Sequence, residues 1–285
     1  MSTASRVAAE LLRVLPRKQL SSVMGRLADI TAPPPLVRGA IQTFARVYDV
    51  DMGEAVIPPE GYRSFDAFFT RALRPGMRAV DMRDDVVVSP ADGRIEDLGV
   101  IEPNAKFLVK GFEYEVGELL GAPEEAARFQ GGTFFIVYLS PRDYHRVHAP
   151  VDGRVRRARH VDGTLYPVNS IGLTYVPKLF ARNERVVTVQ ASRFGDTATV
   201  MVGAIGVGRI SVSFDSRIVT NRGQAAQTLE FGEHGAQLSR GGEIGRFHLG
   251  STAIVLLGPE HRFRFAVKAG ATVRMGQAVA VREAK

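Results

Sequence analysis

The sequence predicts an α+β chain dominated by strands: a β-rich, barrel- or sandwich-like core preceded by amphipathic helices. Three observations carry this prediction. Apolar residues recur at helical spacing only near the N-terminus and in a few short windows later on. From residue 86 onward, β-branched or alternating runs follow one another, punctuated by Gly, Pro and Asp-Gly. Glycine supplies 29 of the 285 residues, above the usual share of about 7%, which suits short strands joined by tight turns.

Taken in order, Ser5–Leu15 sets Val7, Ala8, Leu11, Leu12 and Leu15 at helical spacing. Pro16 interrupts, and Lys18–Ile30 resumes the pattern with Leu20, Val23, Met24 and Leu27. A third helical stretch, Leu36–Tyr48, follows Pro33–Pro35. Seven basic residues (Arg6, Arg13, Arg17, Lys18, Arg26, Arg38, Arg46) face three acids (Glu10, Asp29, Asp49) here. Such a segment can lie in a membrane interface, or fold as a hairpin packed on the main domain; periodicity alone favours the hairpin. A short helical piece is expected at Ser64–Leu73, and further windows at Glu124–Phe129 and Pro177–Asn183. Strands are expected at Val86–Val88, Arg94–Leu98, Thr133–Leu139, Arg154–Arg157, Val186–Gln190, Thr197–Val207, Gly250–Leu257 and Arg262–Lys268, with a closing hairpin in Gly270–Val281. No composition shift interrupts the second part. The organisation is therefore a basic helical segment, residues 1–50, and one β-rich domain, residues 51–285.

Ser89–Ile95 (SPADGRI) is echoed by Ala149–Val155 (APVDGRV). Each holds Asp-Gly between apolar stretches, a hairpin-turn signal, and the echo arises from pseudo-symmetry or from turn chemistry alone.

Composition excludes several classes. The absence of cysteine removes disulfides, thiolate metal sites and a cysteine nucleophile. The apolar runs at Phe134–Leu139 and Ala253–Leu257 are too short to span a bilayer, so the expectation is a soluble or peripheral protein. Basic residues outnumber acidic ones 37 to 30, and a pI near 9.9 points to an anionic partner.

Candidate chemistry begins with the histidines. Only His145 and His148 are close, in Ser140–His148 (SPRDYHRVH). Ser140, Pro141 and Asp143 read as an N-cap, a first-turn proline and a first-turn acid, and a helical turn would set the two histidines on one side. A strand would face them apart. His-x-x-His alone does not make a metal site, and no metal is expected. Asp92 in Pro90–Gly93 reads as a turn aspartate, with orientation of a histidine as its competing role. The glycines of Gly203–Gly208 fit no phosphate-loop pattern and read as structural. The stretch Gly245–Val255 (GRFHLGSTAIV) is unusual because Gly-Ser enters a run of buried-strand residues. With no Cβ on Gly250, the Ser251 hydroxyl can approach the preceding carbonyl closely. A base that takes its proton would allow an N-to-O acyl shift, then elimination that cuts the chain and leaves a pyruvoyl group after loss of ammonia.

These segments resemble the phosphatidylserine decarboxylase family, which is pyruvoyl-dependent and self-processing. Leu249–Thr252 (LGST) matches the family's processing motif, and Pro90–Gly93 and Tyr138–His148 match further family segments in order. Leu179–Val186, Val202–Ala204 and Ser64–Arg71 add to the match. The resemblance implies a self-cleavage triad in which Ser251 is the nucleophile, His148 the general base and Asp92 the group orienting His148. Cleavage between Gly250 and Ser251 would give a large chain, 1–250, and a small chain, 251–285, that stay associated. The pyruvoyl group made from Ser251 would be the covalent cofactor, forming a Schiff base with phosphatidylserine and yielding phosphatidylethanolamine. His145 is the candidate that returns a proton to the α-carbon. His248 is a rival base by sequence, although an extended strand would turn positions 248 and 251 apart. The resemblance also implies a homodimer, peripheral on the cytoplasmic side of the cell membrane. On it the basic N-terminal helices read as a membrane anchor, and Arg142, Arg146, Arg154, Arg156, Arg157 and Arg159 as a headgroup-facing surface or a solvated basic face.

Other classes fit less well. A serine hydrolase would need a Gly-x-Ser-x-Gly elbow, which is absent. A lipoyl-like module would display a lysine at a tight turn of the closing hairpin, and none stands there. No nucleic-acid motif accompanies the high pI.

Overall fold

A computed structural model describes residues 17–206, 209–221 and 225–284. The expected helix at Ser5–Leu15 lies outside these residues. The next two helices form: α1 is Arg17–Asp29 and α2 is Pro34–Tyr48, which starts on Pro34 and Pro35 and ends at Asp49 in the left-handed region. α3, Phe65–Phe69, is capped by Ser64, whose Oγ accepts the Ala67 amide at 3.1 Å. Val37 and Ile41 of α2 pack with Val50 and Phe68 in a small core ringed by Phe44, Tyr62 and Phe65. The outer face of α1 is open, with Val23, Leu27 and, just past the helix, Ile30 all more than half exposed.

The remainder is α+β and strand-rich, as expected. Its strands are β1 (Val86–Val88), β2 (Gly93–Val100), β3 (Lys106–Val109), β4 (Phe112–Glu115), β5 (Thr133–Leu139), β6 (Arg146–His148), β7 (Gly153–Val161), β8 (Arg185–Ser192), β9 (Gly195–Gly203), β10 (Arg209–Val212), β11 (Gln227–Glu230), β12 (Gln237–Leu238), β13 (Glu243–His248), β14 (Ser251–Leu257), β15 (Phe263–Phe265), β16 (Thr272–Val273) and β17 (Ala278–Arg282). A large antiparallel sheet runs β11-β7-β8-β9-β14-β5-β2-β16, with β12 also on β7. It does not close into a barrel among the described residues. Two three-stranded sheets, β1-β17-β15 and β10-β13-β6, accompany it, with a separate β3-β4 hairpin.

The pleat of the large sheet divides its residues between two cores. Phe134, Ile136, Val200, Val202, Ile254 and Leu256 cover one side, against the β3-β4 hairpin and the short helices α4 (Val116–Leu120), α5 (Ser170–Tyr175) and α6 (Leu179–Arg182). Phe135, Val137, Met201, Ala253 and Val255 cover the other, against Val87, Val147, Ile210, Ile244, Phe247 and Val279 of the small sheets. The layered, sandwich-like alternative is therefore the one realised. β14 sits between β5 and β9 with unbroken register along its length, so both its edges are hydrogen-bonded.

The internal echo is structural. His148 N donates to Pro90 O, and Val88 N donates to Pro150 O, so the two copies clasp each other antiparallel. Asp92 Oδ1 accepts the Met275 amide at 2.8 Å, and Asp152 Oδ1 accepts the Arg240 amide at 2.9 Å. The Asp-Gly pairs are not hairpin turns, however. Each is a bend where the chain leaves a small sheet (β1, β6) for the large one (β2, β7). Glycine is required at the first bend because a Cβ on Gly93 would lie 2.2 Å from the Tyr138 carbonyl oxygen.

Candidate active site

The Gly250–Ser251 peptide lies where the chain passes from β13, in a small sheet, to β14, in the large one. Two consecutive residues there have positive φ: Leu249 at 89° and Gly250 at 35°. For a leucine this is a strained conformation, costing on the order of 1–3 kcal/mol. A Cβ built on Gly250 meets nothing within 4 Å, so the corner is open above Gly250. Beyond it, Ser251 joins the large sheet in register with Leu139 and Gly203.

Ser140–His148 forms no helical turn. Asp143 folds back instead, its Oδ2 accepting from Ser140 N at 2.7 Å and from Ser140 Oγ at 2.8 Å, which closes a tight turn. β6 follows at once, and His145 and His148 diverge as strand residues do. β6 runs against β13 with His148 opposite Glu243, while the Phe247 amide donates to the His145 carbonyl. His145 thus stands at the end of the pair that leads into the Gly250–Ser251 peptide, and His148 at the other end.

His148 is buried and its pKa is lowered, chiefly by desolvation. Its Nδ1 donates to the Gly241 carbonyl at 2.7 Å, which leaves Nε2 as an acceptor for the Tyr144 hydroxyl at 3.0 Å. The ring is therefore a neutral base with its lone pair on Nε2. Asp92 makes no hydrogen bond to it; a backbone carbonyl does the orienting. The carboxylate of Asp92 is held instead by the Met275 amide and by Arg78, whose Nε lies 2.9 Å from Oδ1 and whose Nη2 also contacts Oδ2. Arg78 bridges on to Glu54 at 2.6 Å. Asp92 still acts on His148 through its charge, which favours the protonated ring.

His145 is completely buried against the Phe69 ring, with centroids 4.1 Å apart. Its Nδ1 donates to the Asp143 carbonyl at 2.8 Å, its Nε2 has no partner, and burial pulls its pKa down to about 3. His248 is held quite differently. Its Nδ1 lies 2.8 Å from Asp66 Oδ1, and its Nε2 lies 2.9 Å from Ser211 Oγ. The break in the strand at Leu249 and Gly250 removes the alternation that would have turned positions 248 and 251 apart.

Asp92 and Tyr144 open on a polar cleft of about 230 Å3, walled also by Arg71, Arg78, Arg142 and Asp143. Sequence reasoning missed Arg78, Gly241 and Asp66 as partners of the site. Arg78 lies 14 residues from Asp92 with nothing between to tie them, and Gly241 contributes only a carbonyl. Tyr144 was legible only as a neighbour in the histidine motif. Of the six arginines considered, Arg146 pairs with Glu243, Arg156 lies 3.9 Å from Glu233, Arg157 contacts Glu125 and Glu230, and Arg159 reaches Glu125, so much of that face is internally neutralised. Among the described residues no cluster of His, Cys, Asp or Glu could hold a metal ion, and no helix is long and apolar enough to cross a membrane.

Comparison with known proteins accords with this arrangement. A sequence model described as phosphatidylserine decarboxylase matches residues 65–281. A phosphatidylserine decarboxylase proenzyme of Myxococcus xanthus is 40% identical over 273 residues, covering 95% of this chain and 97% of its own. The similarly named protein of Shewanella baltica is 42% identical over 282 residues, with 96% of each chain covered. That of Azotobacter vinelandii is 43% identical over 272 residues, covering 93% of this chain and 94% of its own. On identity sustained across nearly the whole length, the chain belongs to the phosphatidylserine decarboxylase family of carboxy-lyases.

Proposed function

We propose that this chain is a proenzyme that cuts itself between Gly250 and Ser251 and then decarboxylates phosphatidylserine to phosphatidylethanolamine. The observation that carries the reading is the corner itself: two positive-φ residues precede a serine that begins a central strand. Strain at Leu249 is relieved when the peptide bond breaks, and both products remain seated, because β14 stays paired with β5 and β9.

The chemistry balances within the chain plus one water. The Ser251 hydroxyl adds to the Gly250 carbonyl while His148 Nε2 takes its proton, and the proton passes to the departing amide nitrogen. The resulting ester loses the Ser251 α-proton, so that Gly250 leaves as a carboxylate and residue 251 becomes a dehydroalanine. Water then replaces its nitrogen, which departs as ammonia, and a pyruvoyl group remains. Neutral His148 suits the first step, since the lone pair needed is already on Nε2. To use it, the ring has to give up the Tyr144 hydroxyl. Asp92 supports the protonated ring by its charge.

The residues present fit such a group. The space above Gly250 is open, and Thr252 Oγ1 and His145 Nε2 are buried polar atoms without partners. The pyruvoyl ketone supplies an electron sink for the loss of carbon dioxide. His145 is the proposed proton donor; burial holds it neutral, and an anionic substrate alongside would favour its protonated form. The exposed apolar face of α1, with its Val23, Leu27 and Ile30, supports peripheral contact with a membrane surface by the 1–50 segment. A homodimer, as the resemblance implies, is open to sedimentation measurements.

One observation favours a second assignment of the base. Asp66 and His248 form a hydrogen-bonded pair two residues before the scissile bond. His148→Ala and His248→Ala separate the two. The overall reading is tested by intact mass: wild type gives two chains, the small one lighter by one ammonia than a serine-initiated peptide, and Ser251→Ala stays a single chain. A wild-type chain that remains whole in the presence of anionic lipid would refute it.

A further inference from the structure

Arg71 lines the cleft and, among the described residues, forms no ion pair, although Asp92 and Asp143 act on it at longer range. It follows α3 and is 5% exposed. Its Nη2 donates to the Arg142 and Asp143 carbonyls at 3.1 and 3.3 Å, and its guanidinium stands 5.2 Å from the Phe68 ring centroid. Nε and Nη1 have no hydrogen-bond partner, and among the described residues no carboxylate comes within 4 Å. A buried guanidinium without a counter-ion is costly, because the desolvation of the charge is not compensated. Most of the other charges of the cleft are engaged. Arg78 binds Asp92 and Glu54, Arg274 lies 3.6 Å from Glu54, Asp143 holds Ser140, and Asp51 takes the Gly53 amide.

Arg71 also adjoins the reacting side of the site. Its Nη2 shares the Asp143 carbonyl with His145 Nδ1. An anion taken up by Arg71 would therefore lie beside His145, whose Nε2 is likewise unpartnered.

We propose that Arg71 binds the phosphodiester of the substrate headgroup, an inference that rests on the decarboxylase reading. The headgroup carries two anions, and the chemistry chooses between them. A cation on the carboxylate would stabilise a charge that disappears as carbon dioxide leaves, binding the ground state better than the transition state. The phosphodiester keeps its charge throughout, so its capture lowers KM without a penalty in kcat. A planar fork with free donors is also the shape that phosphate oxygens accept.

The test uses processed enzyme, with processing and thermal melting followed in each variant. Arg71→Gln should raise KM for phosphatidylserine in mixed micelles by about 10- to 150-fold, the range for a lost charge-assisted hydrogen bond, with kcat within about threefold. Its kinetics with an O-alkyl-L-serine ether, which has the amine and carboxylate but no phosphodiester, should be unchanged. Arg71→Lys should fall between, and it stands in if the glutamine variant does not fold. Equal losses with both substrates, or an unchanged KM, would overturn the proposal. Calorimetric titration with sn-glycero-3-phosphoethanolamine gives an arm independent of turnover: binding should weaken about tenfold or more in Arg71→Gln and by less in Arg71→Lys, and binding equal to wild type overturns the proposal. If wild type processes itself but does not decarboxylate phosphatidylserine, the decarboxylase reading fails, and this titration still decides for or against Arg71.

Discussion

Replacing Tyr144 by Phe should speed self-cleavage while weakening the fold. Tyr144 is 6% exposed and its hydroxyl donates to His148 Nε2 at 3.0 Å, occupying the lone pair that the proposed base needs. Breaking that bond to engage Ser251 costs about 0.5–1.5 kcal/mol net, so its removal should accelerate processing by about 2- to 12-fold. The same change leaves Nε2 buried without a donor, which should cost about 1–3 kcal/mol of stability. Processing is followed by pulse-chase after cell-free synthesis, with the fraction cut read by gel and intact mass. Stability is read from urea melts in the uncut Ser251→Ala background. The two effects have opposite signs, which makes the reasoning easy to refute. A slower cut in Tyr144→Phe would mean that the hydroxyl takes part in the proton transfer, and that His148 does not act with a simply exchanged Nε2.

Three further outcomes are expected. Asp92→Asn leaves Arg78 buried with Glu54 as its remaining carboxylate partner and should cost about 3 kcal/mol in urea melts; a loss of processing with unchanged stability would instead put Asp92's action wholly on His148. His145 ordinarily titrates near 6.5 but is held near 3 in the fold, so the unfolded chain binds the extra proton between those values. Its contribution is complete above about pH 6.5 and lost as pH falls toward 3, by up to about 5 kcal/mol, and His145→Gln should flatten the pH dependence of urea melts. Leu27→Lys with Ile30→Lys, on the open face of α1, should weaken flotation with anionic vesicles by at least about tenfold while leaving thermal melting unchanged.

The legible parts of the fold were those where pattern and burial agree. Thr133–Leu139 was expected residue for residue because both faces of β5 are covered, leaving a continuous apolar run. The expected strand Thr197–Val207 overran because β9 ends at Gly203, whose carbonyl is taken by Asn183 before the chain turns at Gly206. The β3-β4 hairpin was missed although Phe107, Val109 and Tyr114 alternate inward around Lys110-Gly111, both at positive φ. At the site, Ser251, His148, His145 and Asp92 were named from side chains in motifs. What positions them was not legible, because it is done by a backbone carbonyl (Gly241), a distant arginine (Arg78) and a turn (Ser140–Asp143) whose acid bonds its own cap instead of starting a helix.

The duplicated frame explains why these partners took this form. In both copies an aspartate oxygen receives an amide from a turn distant in sequence, Met275 for Asp92 and Arg240 for Asp152. That shared bond is structural, and it ties each bend to a turn distant in sequence rather than closing a local turn. The copies differ in what surrounds the second oxygen. Asp92 is buried with Arg78 and faces the cleft, whereas Asp152 is 45% exposed and reaches Arg240 Nη2 only at 3.4 Å. His148 directly precedes the second copy but clasps the first through Pro90 O, and Val88 holds the equivalent place before the first copy. The proposed site is therefore assembled across the pseudo-symmetric clasp, with Asp92 from one side and His148 from the other. Asp152 provides an internal control for this argument. Asp152→Asn alters a half-exposed pair and should cost at most about 1 kcal/mol, with processing at the wild-type rate. If it slowed the cut as much as Asp92→Asn does, both aspartates would be acting only as struts of the clasp, and the electrostatic support of His148 by Asp92 would have to be given up.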